Sequence, residues 1–250
     1  MSKDNNHQCR DESKTRSHIE EYGCSVIMIE ASDYNPSFAY SIGLWEKFGH
    51  PEIISFGLSI TTLHGVINDV AEIVKSGRKI ETEANYDEIF GNGEARFIHV
   101  LPGYLKNYFG YALDFYNLPE FPALQLIWTD RHGKFPWESD FEEKFKFRQH
   151  LLDRNLDFKF REEKNLAIFT TRQWLEENKP ILKVVHDHES DWQFLTGDQF
   201  PEDIRLVALE EVIKRDATLN EIFNLEYGEF AERRFIGDNW ARNHFEVDEE

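Results

Sequence analysis

Residues 38–58 read Phe38-Ala39-Tyr40-Ser41-Ile42-Gly43-Leu44-Trp45-Glu46-Lys47-Phe48-Gly49-His50-Pro51-Glu52-Ile53-Ile54-Ser55-Phe56-Gly57-Leu58. The apolar runs Phe38–Leu44 and Glu52–Leu58 predict two strands that must be covered on both faces. Between them His50-Pro51-Glu52 is polar and stiffened by proline, so it is the place to look for chemistry. The same residues also suit a plain corner, in which proline shapes the turn and the polar side chains bind backbone groups. The corner is the stronger of the two readings.

Outward from this stretch the punctuation is regular. Ser25–Glu30 predicts a strand, and Asp33-Tyr34-Asn35-Pro36 a turn. In 61–76, Leu63, Val66, Ile67, Val70, Ile73 and Val74 keep helical spacing, with Thr61 or Thr62 as N-cap and Gly77 as the stop. Lys79–Glu83 and Ala95–Leu101 predict strands around the turn Gly91-Asn92-Gly93. Tyr104–Tyr116 predicts an aromatic helix and Ala123–Thr129 a further strand.

Residues 138–164 hold eight acids and seven bases around Phe141, Phe145, Leu152 and Leu156, the pattern of an exposed helix with one apolar stripe. Beyond it, Leu166–Thr170, the hairpin Ile181–Asp187 with Trp192–Leu195, and Arg205–Leu209 predict strands. Arg172–Asn178 and Glu210–Phe223 predict helices. The expected organisation is a disordered tail over 1–17, a domain over 18–140, a charged helical connector over 141–164 and an acidic α+β domain over 165–250. The fold class is α+β. The first domain is a curled, mostly antiparallel sheet with two helices. Its element order is similar to that of flavin-binding split barrels, an analogy that carries no cofactor.

The chain has 47 acidic and 28 basic residues for a net charge of −19. That excludes the basic face that nucleic acid or an anionic membrane surface requires. Residues 165–250 hold 20 acids and 9 bases, whereas 21–137 hold 15 and 8, so the acidity is concentrated in the second unit. Such a surface suits a basic protein partner. Cys9 and Cys24 are too few for a disulfide scaffold or a structural zinc site. With no signal peptide or membrane span in the pattern, a reducing, cytoplasmic location is the expectation.

Two clusters could carry chemistry. His50 and Glu52 suit acid–base work. If the strands are neighbours, Tyr40, Gln125, Trp128 and Asp130 converge with them, and Glu52 and Asp130 form a carboxylate pair. His186-Asp187-His188-Glu189 places two histidines at strand period two, which could ligate a metal. Its position at a hairpin end favours a solvated turn, and no metal is assigned. Gly91-Asn92-Gly93 lacks the rest of a dinucleotide loop, and no Gly-x-Ser-x-Gly elbow occurs. No cofactor is expected.

Tyr40-Ser41-Ile42-Gly43-Leu44, Gly49-His50-Pro51-Glu52, Phe56-Gly57-Leu58, Gln125-Leu126-Ile127-Trp128-Thr129-Asp130 and Gly133-Lys134-Phe135-Pro136-Trp137 resemble family 4262 of the domains of unknown function. Ser41 stands where threonine is commoner and Thr129 where proline is. The resemblance implies a bacterial setting and no established reaction. The second unit resembles small bacterial immunity-type domains through Val184-Val185-His186-Asp187, Asp191-Trp192-Gln193-Phe194-Leu195-Thr196-Gly197-Asp198, Arg215–Leu219 and Tyr227–Arg233, although Glu189-Ser190-Asp191-Trp192 departs from their Asp-Ser-Gly-Trp. That resemblance implies an immunity or defence protein which binds a basic partner such as a toxin, with Asp187, Glu189, Asp191, Trp192 and Asp198 as the contact candidates. The alternative is an enzyme or small-ligand protein with its site at Tyr40, His50, Glu52, Gln125 and Asp130.

Overall fold

A computed structural model of the chain describes residues 4–91 and 93–245. Met1–Lys3, Asn92 of the Gly91–Gly93 turn and the acidic end Glu246–Glu250 lie outside the described residues. The chain divides into two compact units, one of Met1–Ala31 with Pro36–Arg154, the other of Ser32–Asn35 with Asn155–Glu250.

The first unit contains helix α1 (Asp4–Tyr22), strands β1 (Ser25–Ile29) and β2 (Phe38–Ile42), a short helix α2 (Leu44–Phe48) and strand β3 (Glu52–Phe56). Helix α3 (Ile60–Lys75), strands β4 (Tyr86–Phe90) and β5 (Gly93–His99), helices α4 (Leu105–Tyr108) and α5 (Gly110–Tyr116), strand β6 (Ala123–Trp128) and the single turn α6 (Glu143–Lys146) follow. The sheet order is β1-β2-β3-β6-β5-β4, with β3 parallel to β6 and every other pairing antiparallel. It is an open mixed sheet with β1 and β4 as edges, so the split-barrel analogy fails. More helices cover it than the two expected.

Alternation along the strands explains the layering. Ala39, Ile53, Leu124 and Leu126 pack against Leu63, Val66, Ile67, Val70, Ala71 and Val74 of α3. Tyr40, Ile54, Phe56 and Ala123 pack with Phe109, Ala112 and Phe115 and with Ile19 of α1. Each buried Leu, Ile or Val of α3 stabilises the unit by roughly 1.5–3 kcal/mol, an upper bound set by an extended unfolded chain. Ser59 caps α3, its hydroxyl accepting from Thr62 N at 3.2 Å, two residues before Thr61 and three before Thr62, the caps that the sequence suggested.

Where polarity predicts a frayed tail over 1–17, the backbone is helical from Asp4. Two residues at i, i+4 tie it down: Ile19 is buried, and the Thr15 hydroxyl meets that of Tyr111 at 3.0 Å. The strand expected at Lys79–Glu83 is displaced to Tyr86–Phe90, where pairing with β5 through Tyr86↔Ala95 and Phe90↔Gly93 selects the register. The aromatic helix expected at Tyr104–Tyr116 breaks at Phe109, which leaves helical geometry before Gly110. The charged stretch 141–164 is no continuous helix; only α6 forms, and its Phe145 ring packs against Trp128 of β6 with centroids 5.5 Å apart.

The second unit contains β7 (Ala167–Thr171), α7 (Arg172–Glu177), β8 (Lys183–His186), β9 (Trp192–Leu195), β10 (Ile204–Ala208), α8 (Leu209–Arg215), β11 (Glu229–Glu232) and β12 (Ala241–His244). Its sheet order is β10-β7-β9-β8-β11-β12, with β7 parallel to β9 and the other pairs antiparallel. The β8–β9 hairpin forms as expected. The helix expected over Glu210–Phe223 stops at Asp216, which turns extended and uses its carboxylate to cap a 3-10 segment, Ala217–Ile222, at Thr218 N. Among the described residues no helix is long and apolar enough to cross a membrane.

Candidate functional site

The corner between β2 and β3 is built on one carboxylate. Glu52 has no solvent exposure. Its Oε1 accepts from Gly43 N at 3.0 Å, Trp45 N at 2.9 Å and the Tyr116 hydroxyl at 2.5 Å, and its Oε2 accepts from the Ser41 hydroxyl. Ser41 Oγ in turn accepts from Ile53 N at 2.9 Å, filling the gap where the β2–β3 ladder ends at Tyr40↔Ile54. Two of these N–H groups open α2, so the carboxylate lies at a helix N-terminus. Gly43 (φ 117°) and Gly49 (φ 62°) bracket α2 with left-handed backbone that L side chains avoid. A Cβ on Gly43 would also stand 2.8 Å from Ile19.

Burial pushes the Glu52 carboxyl above its ordinary range, and hydrogen bonds from Ser41, Tyr116, Trp45 and Gly43 offset part of that rise. Burial also raises the Tyr116 phenol well beyond its usual range, and the adjoining Glu52 charge adds to it. Every donor around Glu52 is committed to holding the corner, and the carboxylate touches no solvent. The arrangement is structural.

His50 is buried, and its Nδ1 lies 2.7 Å from the Pro51 carbonyl. A carbonyl only accepts, so Nδ1 carries the proton and Nε2 is left as an acceptor with no partner among the described residues. Burial lowers its pKa, and the Pro51 carbonyl opposes this. Tyr40 packs its ring 5.0 Å from that of Phe109, with burial raising its phenol.

The strands β3 and β6 are neighbours, yet the sequence-predicted cluster does not form. Glu52 pairs with Ala123, while Asp130 lies seven positions further along the parallel partner, roughly 20 Å away at strand rise. Gln125 is a backbone surrogate: its Nε2 donates to His150 O at 2.8 Å and its Oε1 accepts from Leu152 N at 2.9 Å. Trp128 donates from Nε1 to Phe56 O at 2.8 Å. Asp130 organises a turn by accepting from His132 N, Lys134 N and Glu142 N at 2.8, 2.9 and 2.9 Å. Burial alone would raise its carboxyl; the backbone N–H groups of Lys134, Glu142 and His132 more than reverse that and hold it low.

A concavity that the sequence did not reveal lies elsewhere in the first unit. About 730 Å³ in volume, it follows β1 from Cys24 to Met28 between α1 and α3. Lys14 and His18 line one wall, and His64, Glu72 and Lys75 the other. Burial pushes the Cys24 thiol up to about 11, with Lys75 opposing, so it is no thiolate nucleophile at neutral pH. Lys14 and Thr15 of this wall fall in the segment 1–17 that the sequence reads as a tail, which is why the wall was not foreseen.

In the second unit the five contact candidates divide. Trp192 is core: it stacks on His186 with centroids 3.9 Å apart and planes 11° apart. Asp187 is a turn organiser, accepting from Glu189 N at 3.0 Å and Asp191 N at 2.9 Å. Asp198 binds Lys179 at 2.6 Å. Glu189 and Asp191 are exposed. His186 and His188 do not converge, since His186 Nδ1 sits 2.7 Å from Leu225 O while His188 lies over Gly228. Among the described residues no group of three or more His, Cys, Asp or Glu is arranged to hold a metal ion.

Together these features define an α+β protein of two sheet units, the first organised by a buried, fully hydrogen-bonded carboxylate and the second carrying the excess acidity. Residues 18–142 match the family model described as domain of unknown function DUF4262, and the chain belongs to that family. No curated protein and no solved structure matches it.

Proposed function

We propose that this protein is a non-catalytic bacterial interaction protein whose acidic second unit binds and neutralises a basic partner, such as a toxin, in an immunity or defence role. The observation that supports this reading is how the second unit spends its cations. Residues 165–250 contain nine Lys and Arg. Arg172, Lys179, Lys183, Lys214, Arg233 and Arg234 are held in ion pairs with acids of the same unit. Arg205, Arg215 and Arg242 donate to its carbonyls. The surplus of acids is therefore uncompensated. Glu189 and Asp191 at the hairpin tip carry their charge into solvent with no cation beside them among the described residues.

Such a surface speeds encounter with a basic protein, and the gain fades as salt screens it. The test is a pull-down from the native host followed by binding kinetics with the recovered basic protein. The association rate falls at least about tenfold between about 0.05 and 0.5 M salt, and falls again in Glu189→Lys/Asp191→Lys. Recovery of no basic partner, or an association rate indifferent to salt and to charge reversal, overturns the reading.

The enzyme or small-ligand reading centred on His50, Glu52 and Asp130 loses its carboxylate pair, because Asp130 lies past the end of β6 remote from Glu52.

A further inference from the structure

Strand β1 is an edge of the first unit's sheet, paired on one side only, with β2. Its sequence, Ser25-Val26-Ile27-Met28-Ile29, has no charge, no proline and no bulge, the devices that ordinarily keep an edge from pairing. Half of its backbone N–H and C=O groups point away from β2, as in any antiparallel edge strand. They meet no other backbone group among the described residues. Val26 packs into the α3 layer and Ile27 into the α1/α5 layer, so the free edge runs along the floor between two helical walls. The 730 Å³ concavity is that floor with its walls.

We infer that this groove is a peptide-binding site, in which an extended segment of a partner protein bearing acidic side chains adds as a strand beside β1. The backbone of the edge supplies the hydrogen bonds, and the walls read alternate side chains. The charge of the walls selects the occupant. Within a chain of net charge −19, the groove presents two cations, Lys14 and Lys75, against one acid, Glu72, with the neutral imidazoles of His18 and His64 beside them. Glu72 is spent on Lys75 at 2.7 Å, and Lys14 has no ion-pair partner among the described residues. A second copy of the chain is a poor occupant, since two such anions repel. A basic peptide would meet the unpaired Lys14 on the α1 wall. The site is separate from the acidic surface of the second unit and opposite to it in sign.

The test uses the full chain and fluorescein-labelled acetyl-(Val-Glu)4-amide followed by fluorescence anisotropy. The peptide binds saturably. N-methylation of alternate backbone nitrogens, which removes the strand hydrogen bonds, weakens it about tenfold or more, and Lys14→Glu does so by about the same factor. Backbone amide signals of Val26–Met28 shift on titration. Glu189→Lys/Asp191→Lys in the second unit leaves the affinity unchanged, which separates this site from the proposed toxin-binding surface. Equal binding of the N-methylated peptide or of acetyl-(Val-Lys)4-amide overturns the inference. So does failure of (Val-Glu)4 to bind. Concentration-dependent dimerisation abolished by Met28→Lys would instead assign the edge to a second copy.

Discussion

The Tyr116 hydroxyl donates to Glu52 Oε1 at 2.5 Å across 64 residues of chain, joining the end of α5 to the first residue of β3. That contact makes the β2–β3 corner a sealed unit, because the same oxygen also accepts the first amides of α2. Removing the carboxylate in Glu52→Ala strands the Ser41 and Tyr116 hydroxyls and Trp45 N without this acceptor, leaving Gly43 N only the Tyr116 oxygen at 2.6 Å, at a cost of roughly 3–5 kcal/mol. Glu52→Gln keeps the shape and costs less. The folded carboxyl titrates above its ordinary 4.5, so the native state holds its proton where the unfolded chain has lost it. Wild-type stability from this group therefore falls as pH rises through that interval. Urea denaturation shows a larger deficit for Glu52→Gln at about pH 4 than at pH 7.

His50 gives the opposite slope. Burial holds its pKa below the ordinary 6.5, so between the lowered value and 6.5 the unfolded chain binds the proton that the native imidazole refuses. Stability is complete above 6.5 and falls as pH drops through the window. Imidazole NMR of the folded protein shows His50 taking up its proton below the ordinary 6.5. In His50→Asn the acid-side loss of stability is smaller.

Gly57 sits in left-handed backbone at φ +76°, and a Cβ there would approach Arg148 O to 2.4 Å. Gly57→Ala strains the turn and drives the 148–152 segment off the sheet. Its cost is on the order of 2–4 kcal/mol, read as a lowered urea midpoint. Gly49→Ala, which meets no atom within 4 Å, costs less because only its positive φ opposes the change.

In the second unit the buried Arg233 guanidinium pairs with Asp216, donates to Ile181 O at 3.0 Å and to Thr218 Oγ1 at 2.6 Å, and lies over the Trp240 ring. Arg233→Ala leaves the Asp216 carboxylate without its cation and costs roughly 3–5 kcal/mol. Arg234→Ala removes a solvent-screened pair one residue away and costs far less. Comparing the two variants by thermal melting separates the buried pair from its surface neighbour.

Short-range patterns carried much of the fold. The i, i+3, i+4 spacing placed α3, and short apolar runs bounded by turn residues placed β1, β2, β3, β6 and the β8–β9 hairpin, because each is a property of neighbouring residues. The motifs at Tyr40–Leu44, Gly49–Glu52 and Gln125–Asp130 carried the family for the same reason. Tertiary structure decided everything that depends on strand order and long-range contact. Polar α1 is held by Ile19 and Thr15 against residues far along the chain, and β4 is set by pairing with β5. Glu52 and Asp130 were both legible as candidates, but only the parallel register of β3 and β6 shows that they sit at opposite ends. Trp192 was legible as an aromatic at a hairpin and became core only through its stack on His186. The groove along β1 was least legible of all. A free edge exists only relative to a finished sheet, and its walls come from helices separated by about 40 residues of sequence.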